Sequence, residues 1–428
     1  MRRPLRPTTT AATAAVVALL ASALLVGTLP GNAVPSQAAP IPRLPDAAPS
    51  PLPGRDGVLF TFVSMPDFFN ADIGNVRGLP RAAGLPAGVN SVNRSWRRAM
   101  DVVLDGIQAE HPQAVLVAGD LVEGHWGEDV DGTGVFGPVG THAQKLRAVT
   151  RAGNLYYRQW AARFARRGLT VYPAVGDHEI GDNPWHPGGF KYRAFPTYKQ
   201  VWVKHFTRTA AGTPRYWRRP VGTPYADTAY AVRIANTLIV TIDVFARTGD
   251  GVRATVTRGQ RRWLNRLIPQ ARRNGVKHVI VQGHTPVLGP VRQRNSSGLM
   301  LEGGASSPLW QLLKRHKVDL YLCGEVHDMT TRVNGVVQVS HGGLLAHADA
   351  NYLLGRVYRD RIELELKEFK GGRDYWQRRL WATTLKRPAA RVTMVRNPAR
   401  VGTLVIDKSG SGPRRLLAAR GYLKPPRR

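Results

Sequence analysis

A chain of 428 residues with 43% hydrophobic and 21% charged residues carries enough apolar side chain for a sizeable core, which excludes a disordered or fibrous polymer. The balance of 61 Lys and Arg against 29 Asp and Glu leaves a formal charge of +32, a field that attracts nucleic acid, phosphorylated polymers or an anionic envelope surface. Arg residues scattered on solvated helix faces, as at Arg147, Arg151, Arg163 and Arg166, account for the excess equally well, so charge alone names no ligand.

The first residues have the layout of a secretory leader. Arg2, Arg3 and Arg6 precede an uncharged run from Ala11 to Leu29, followed by Pro, Gly and small residues. Ser36 and Ala38 are the small residues that a signal peptidase reads, so residues 1–38 are expected to be a signal peptide cleaved near Ala38, or else an N-terminal anchor, in a protein exported to the cell envelope or beyond. Residues 39–56, rich in Pro and Ala, are expected to be a linker. With Cys323 as its one cysteine, the exported chain can form no internal disulfide and depends on its core and on metal.

From Gly57 a rhythm begins. Short apolar runs recur at 58–65, 114–120, 170–177, 238–244, 278–284 and 318–325, each rich in Val, Ile, Leu or aromatic residues, as strands buried on both faces require. Between them the spacing predicts a helix over 91–111 through Trp96, Met100, Val103, Leu104 and Ile107, with Ser91 as cap. Further helices are predicted over 143–167, stopping at Gly168, over 257–274, stopping at Gly275, and over 307–316. A hairpin is expected to turn near Ala235 and Asn236, and the aromatic-rich stretch 190–206 fits either a core stripe or a cleft lining. Asp129 to Gly134 begins like a calcium loop but lacks the remaining ligands, and is read as a solvated turn. Strands alternating with helices make residues 57–370 an α/β layered domain; residues 371–428 are expected to form a basic C-terminal extension with at least one strand, at 402–408.

Candidate metal ligands stand where the apolar runs stop: Asp67, Asp120, Asp177, His284, and Glu325 with His327. In α/β sheets ligands bind beyond the carboxyl ends of the strands, so five strand ends deliver carboxylates and imidazoles to one rim. A glycine directly precedes four of them, at 119, 176, 283 and 324, and allows close backbone approach there.

The order Asp67, Gly119-Asp120, Gly176-Asp177-His178-Glu179, Gly283-His284, Gly324-Glu325-Val326-His327 resembles the calcineurin-like metallophosphoesterase superfamily, whose pattern is D-x-H, G-D-x-x-D, G-N-H-E, a lone His, and G-H-x-H. The resemblance covers roughly residues 57 to 345 and implies a four-layer α/β/β/α sandwich holding two metal ions. It implies that Asp67 and His327 bind one ion, Asp120 bridges both, and Asp177, His284 and Glu325 bind the second. His178 would face the phosphate as general acid or charge stabiliser, and Glu179 would orient His178 or a turn. The implied activity is hydrolysis of phosphate mono- or diesters by a metal-activated water.

Three positions depart from the pattern. Phe69 replaces the His of D-x-H, leaving Asn70 or Asp72 as stand-ins; Asp177 replaces the Asn, and Glu325 the first His of G-H-x-H. Glu123 is a conservative change of the second Asp of G-D-x-x-D, and His341 either reaches the rim or ends a strand. Four carboxylates match the charge of two divalent ions and favour oxygen-preferring Mn, Mg, Ca or Fe over Zn. The rival expectation is a catalytically silent module of this fold that binds anionic polymers; a second rival is a nuclease or phosphodiesterase favoured by the basic field.

Overall fold

The computed structural model describes residues 57–68, 72, 76, 94–129, 132, 134–294, 296–343, 349–373, 392–409 and 414–426. The leader, the linker up to residue 56, Phe69, Asn70, Ser91 and the side chain of Trp96 lie outside the described residues.

Two sheets form the centre. In the first, β1 (Phe60–Ser64), β2 (Ala114–Val117) and β3 (Val171–Pro173) run parallel, with Phe62 opposite Ala114 and Val115 opposite Val171. On the other side of β1, the antiparallel strands β12 (Asp349–Val357), β13 (Arg361–Arg373), β15 (Ala399–Asp407) and β16 (Arg415–Gly421) follow in that order, with β14 (Val392–Met394) on β13. The second sheet has the order β10 (Thr330–Val333), β11 (Val337–Ser340), β9 (Leu320–Cys323), β8 (His278–Gln282), β5 (Thr237–Thr241), β4 (Tyr230–Ile234). Its β5, β8 and β9 are parallel. A separate hairpin joins β6 (Phe245–Thr248) to β7 (Gly251–Ala254).

Strand periodicity explains the layering. On β1 the even residues Phe60 and Phe62 enter one buried cluster, with Leu116 of β2, Ile239 of β5, Ile280 of β8 and Leu320 of β9. The odd residues Val63, Val115, Val281 and Tyr321 enter the other, together with helix residues. Alternate side chains therefore fill the space between the sheets and the space under the helices, which is why these strands read as unbroken apolar runs.

Helices α1 (Arg94–Ala109), α2 (His142–Ala165) and α3 (Phe190–Phe206), and on the other side α4 (Arg258–Arg273) and α5 (Pro308–Arg315), complete the α/β/β/α arrangement. Phe369 of β13 lies against Gly106 of α1, while Trp310 of α5 meets Tyr321 of β9 edge to face at 6.1 Å. Helix α2 starts on a capping box, Thr141 accepting from the Gln144 N–H while the Gln144 side chain accepts from Thr141. The hairpin turns at Ala235 and Asn236, Ala235 having φ 49°.

The stretch 190–206 is helix α3, and it buries Phe195, Tyr198, Trp202 and Phe206 as a core stripe. The strand read at 402–408 is β15, an interior member of the first sheet with β13 and β16 on either side. Residues beyond 370 thus build that sheet's edge, because the long β13 would otherwise expose an unpaired row of N–H and C=O groups.

Candidate metal centre

Each strand end that carries a candidate ligand leaves its sheet at the same rim. Asp67 follows β1, Asp120 β2, Asp177 β3, His284 β8, and Glu325 with His327 follow β9. Main-chain bonds lace the turns together: Asp67 N donates to Gly119 O at 3.1 Å, and Gly324 N to His284 O at 2.8 Å. The Glu325 N–H donates to Asp67 Oδ1 at 3.1 Å, joining the two sheets at the site.

Close approach explains the glycines. A Cβ at Gly176 would collide with Asp120 Oδ1, and one at Gly324 with Asp67 Oδ2. Asp67, Asp120, Glu325 and His327 hold left-handed backbone, with φ of 50°, 63°, 69° and 51°. Each such residue costs on the order of 1 kcal/mol or more. Four of them around one point mark strain retained for function.

The ligand atoms form two overlapping groups: Asp67, Asp120 and His327 in one, Asp120, Asp177 and His284 in the other, each with its atoms within 4.8 Å of one another. Glu325 lies beside the second group, its Oε2 3.4 Å from His284 Nε2, while its Oε1 accepts from Ser297 Oγ at 2.7 Å and Leu299 N at 3.0 Å. Asp120 is common to both.

Whether these residues fit metal is answered by their unmet polar atoms. Asp67 Oδ2, Asp177 Oδ1 and His284 Nε2 are buried without a hydrogen bond of proper direction. His284 donates from Nδ1 to Ala118 O at 2.8 Å, which turns Nε2 toward Asp177 Oδ1 (2.8 Å), Glu325 Oε2 (3.4 Å) and Asp120 Oδ2 (3.5 Å). A neutral imidazole would point its lone pair at three carboxylates, an arrangement that only a cation or an added proton makes favourable. His327 is arranged alike, Nδ1 donating to Arg294 O at 3.1 Å and Nε2 lying 3.6 Å from Asp67 Oδ1.

Protonation shows the same demand for positive charge. Burial, reinforced by Glu325 and Asp177, pushes Asp67 up to about 8, and burial together with Asp177 raises Asp120 well above the carboxylate range. Burial alone would lower His284, but Asp120, Asp177 and Glu325 hold it well above its ordinary value. The donor set of buried carboxylates and Nε2-facing imidazoles fits two divalent cations.

Glu179 does not face the ligands. Its Oε2 accepts from Asp120 N and Gly176 N, both at 2.7 Å, and Oε1 from Leu121 N at 2.9 Å, so it clamps two ligand turns by their backbone. Replacing Glu179 with Ala strands three buried N–H groups and is expected to cost on the order of 3–5 kcal/mol in the unfolding of the metal-loaded protein. Urea denaturation of the pair measures this, and a cost below about 1 kcal/mol would contradict it.

Two other candidates have structural partners instead. Asp72 accepts from Trp126 Nε1 at 2.9 Å and Glu123 N at 3.1 Å, bracing the loop after Asp120, and it is outside the metal-capable groups among the described residues. His341 is buried between Ser64 Oγ (2.9 Å) and Asn351 Oδ1 (3.1 Å), with burial lowering it to about 4, and ends β11 as a core residue. Glu123 contributes through its main chain, its carbonyl accepting from His178 Nδ1 at 2.7 Å. Cys323 is buried at the end of β9, its thiol pushed up to about 12 by burial. The sequence reading passed over His125 and Asp182, which form a third group with His178; the only signal was His125 standing five residues after Asp120.

Among solved structures, similarity is found to a dimetal phosphatase from Danio rerio (15% identity over 72% of this chain and 95% of that one, TM-score 0.41). It extends to GAP50, the anchor in the inner membrane complex of Plasmodium (14%, 72% and 84%, TM-score 0.39), and to the phosphopantetheinyl hydrolase of Mycobacterium tuberculosis (10%, 66% and 90%, TM-score 0.23). No curated protein sequence matches the chain significantly. The model of the calcineurin-like phosphoesterases matches residues 71–329, well over half of the chain and four of the five strand ends of the rim. The chain therefore belongs to the calcineurin-like phosphoesterase family, and its described residues include two overlapping groups that could hold metal.

Proposed function

We propose that the protein is an exported hydrolase of phosphate mono- or diesters, with Asp67 and His327 holding one ion, Asp120 shared, and Asp177, His284 and Glu325 holding the second. The observation that carries this reading is the membership of Asp120 in both ligand groups. When bound, the two ions supply Lewis-acid polarisation of the phosphoryl oxygens and a water ionised near neutral pH. The protein supplies the rest. His178 Nδ1 is anchored on the Glu123 carbonyl, which turns Nε2 toward the cluster, 3.9 Å from Asp120 Oδ2. Burial opposes its charge, but Asp120, Asp177 and Asp182 shift the imidazole well above its ordinary range, which favours a proton at Nε2. That proton passes to the leaving oxygen as the ester bond breaks.

Four carboxylates against two imidazoles make the donor set oxygen-rich, and we assign it to Mn, Mg, Ca or Fe rather than Zn. Returning this chain toward the family pattern with Asp177→Asn and Glu325→His together is expected to raise the Zn-to-Mn loading ratio by about tenfold or more. Metal analysis after competitive loading reads it; an unchanged ratio would remove the argument.

The deciding experiment is turnover of an aryl phosphate and its diester across Mn, Mg, Ca, Zn and Fe. Metal-dependent hydrolysis supports the assignment; absence of both bound metal and turnover supports the second reading, a silent module holding an anionic polymer. Phe69 in place of the His of D-x-H favours that alternative, while the basic field favours a nuclease or phosphodiesterase acting on a polyanion, whose activity would fall steeply with salt as a small ester's would not. Export is tested by sequencing the N-terminus of the mature protein, expected just after Ala38.

A further inference from the structure

We propose that His125 and Asp182 are positioning residues for His178, a second imidazole and a carboxylate that hold its ring with Nε2 toward the metal cluster. The inference rests on the role of His178 given above. A single bond, from Nδ1 to the Glu123 carbonyl, leaves an imidazole at the mouth of a site free to rock about that bond. His178 is prevented from doing so. The ring of His125 lies parallel to it, 5.9 Å between centroids and 6° between planes. His125 is fixed in turn by its Nε2, which donates to Asp182 Oδ2 at 2.8 Å.

Asp182 is itself held. Asn183 Nδ2 donates to Asp182 Oδ1 and to the candidate ligand Asp177 Oδ2, both at 3.1 Å, tying the carboxylate to the turn that carries Asp177. Its Oδ1 lies 3.9 Å from His178 Nε2, so this one carboxylate faces both imidazoles. Two features show that the arrangement is built. Asp182 adopts φ 61°, a conformation costly for a non-glycine residue. Gly124, at φ 74°, runs so close to the backbone of His178 that any Cβ there would collide with the His178 carbonyl oxygen. Only glycine at 124 lets the chain place His125 beside His178.

The test uses the full metal-loaded protein. His125→Ala is expected to lower kcat on an alkyl phosphate, whose leaving oxygen needs the proton, by about 10- to 100-fold, with KM within threefold and two metals still bound. His125→Phe, which keeps the ring face, is expected to recover part of that loss, and Asp182→Asn to fall between. A kcat within twofold of wild type, or a loss that follows the loss of metal, would overturn the proposal. A second readout does not need turnover: in the Mg-loaded protein the His178 Nδ1 proton should give a protected downfield resonance, broadened or lost in His125→Ala. Equal sharpness in both proteins would also overturn it. If the wild type hydrolyses no ester, the functional reading fails, and the resonance still decides the positioning role.

Discussion

Asp120→Asn is expected to abolish hydrolysis and to reduce bound metal from two ions per chain to one or none. Asp120 is the one residue in both ligand groups, and asparagine keeps its volume while removing the charge that both ions share. The substitution leaves the backbone clamp intact, since Glu179 grips the Asp120 N–H and not its side chain. Folding should therefore be retained, and the effect read as chemistry. Losing a shared ligand removes several kcal/mol of charge stabilisation, which corresponds to a fall in kcat/KM on the order of 10³-fold or more. Metal analysis beside steady-state kinetics checks this. Two ions retained with activity within tenfold of wild type would show that Asp120 is not shared.

His178→Ala should behave differently, and the contrast separates metal binding from proton transfer. Both ions should remain, because every residue in the two ligand groups and Glu325 is untouched, while kcat falls by about 10²- to 10⁴-fold. The loss should depend on the ester. An aryl leaving group with a low pKa departs without a proton and should lose least, whereas an alkyl ester should lose most. A loss independent of the leaving group would move His178 from proton donor to stabiliser of charge on the phosphoryl group.

Many site residues were legible because each obeys a local rule. Asp67, Asp120, Asp177, His284 and Glu325 stand directly after short apolar runs, and a strand buried on both faces can only be such a run. The hairpin β12–β13 went unread although Ile362, Leu364 and Leu366 alternate with Glu363, Glu365 and Lys367, because no motif drew attention to that stretch. Asp72 and His341 show what stays open in a sequence. Both have the right chemistry near the right strand, but their atoms are taken by Trp126 and Glu123 in one case, and by Ser64 and Asn351 in the other.

By itself, the order of residues determined the layered α/β architecture, the rim on which the ligands gather, and the residue types offered there, because strand period and turn chemistry act over a few neighbours. Which groups meet was decided only by the tertiary structure. Glu179 reaches back to the Asp120 turn, His125 meets Asp182, and Asp67 accepts from Glu325 of the other sheet. These pairs join residues 57 to 258 positions apart, and no local pattern marks one buried polar group as the partner of another. The strained backbone at Asp67, Asp120, Glu325 and His327 belongs to the same class, since it persists only where packing from both sheets holds it in place.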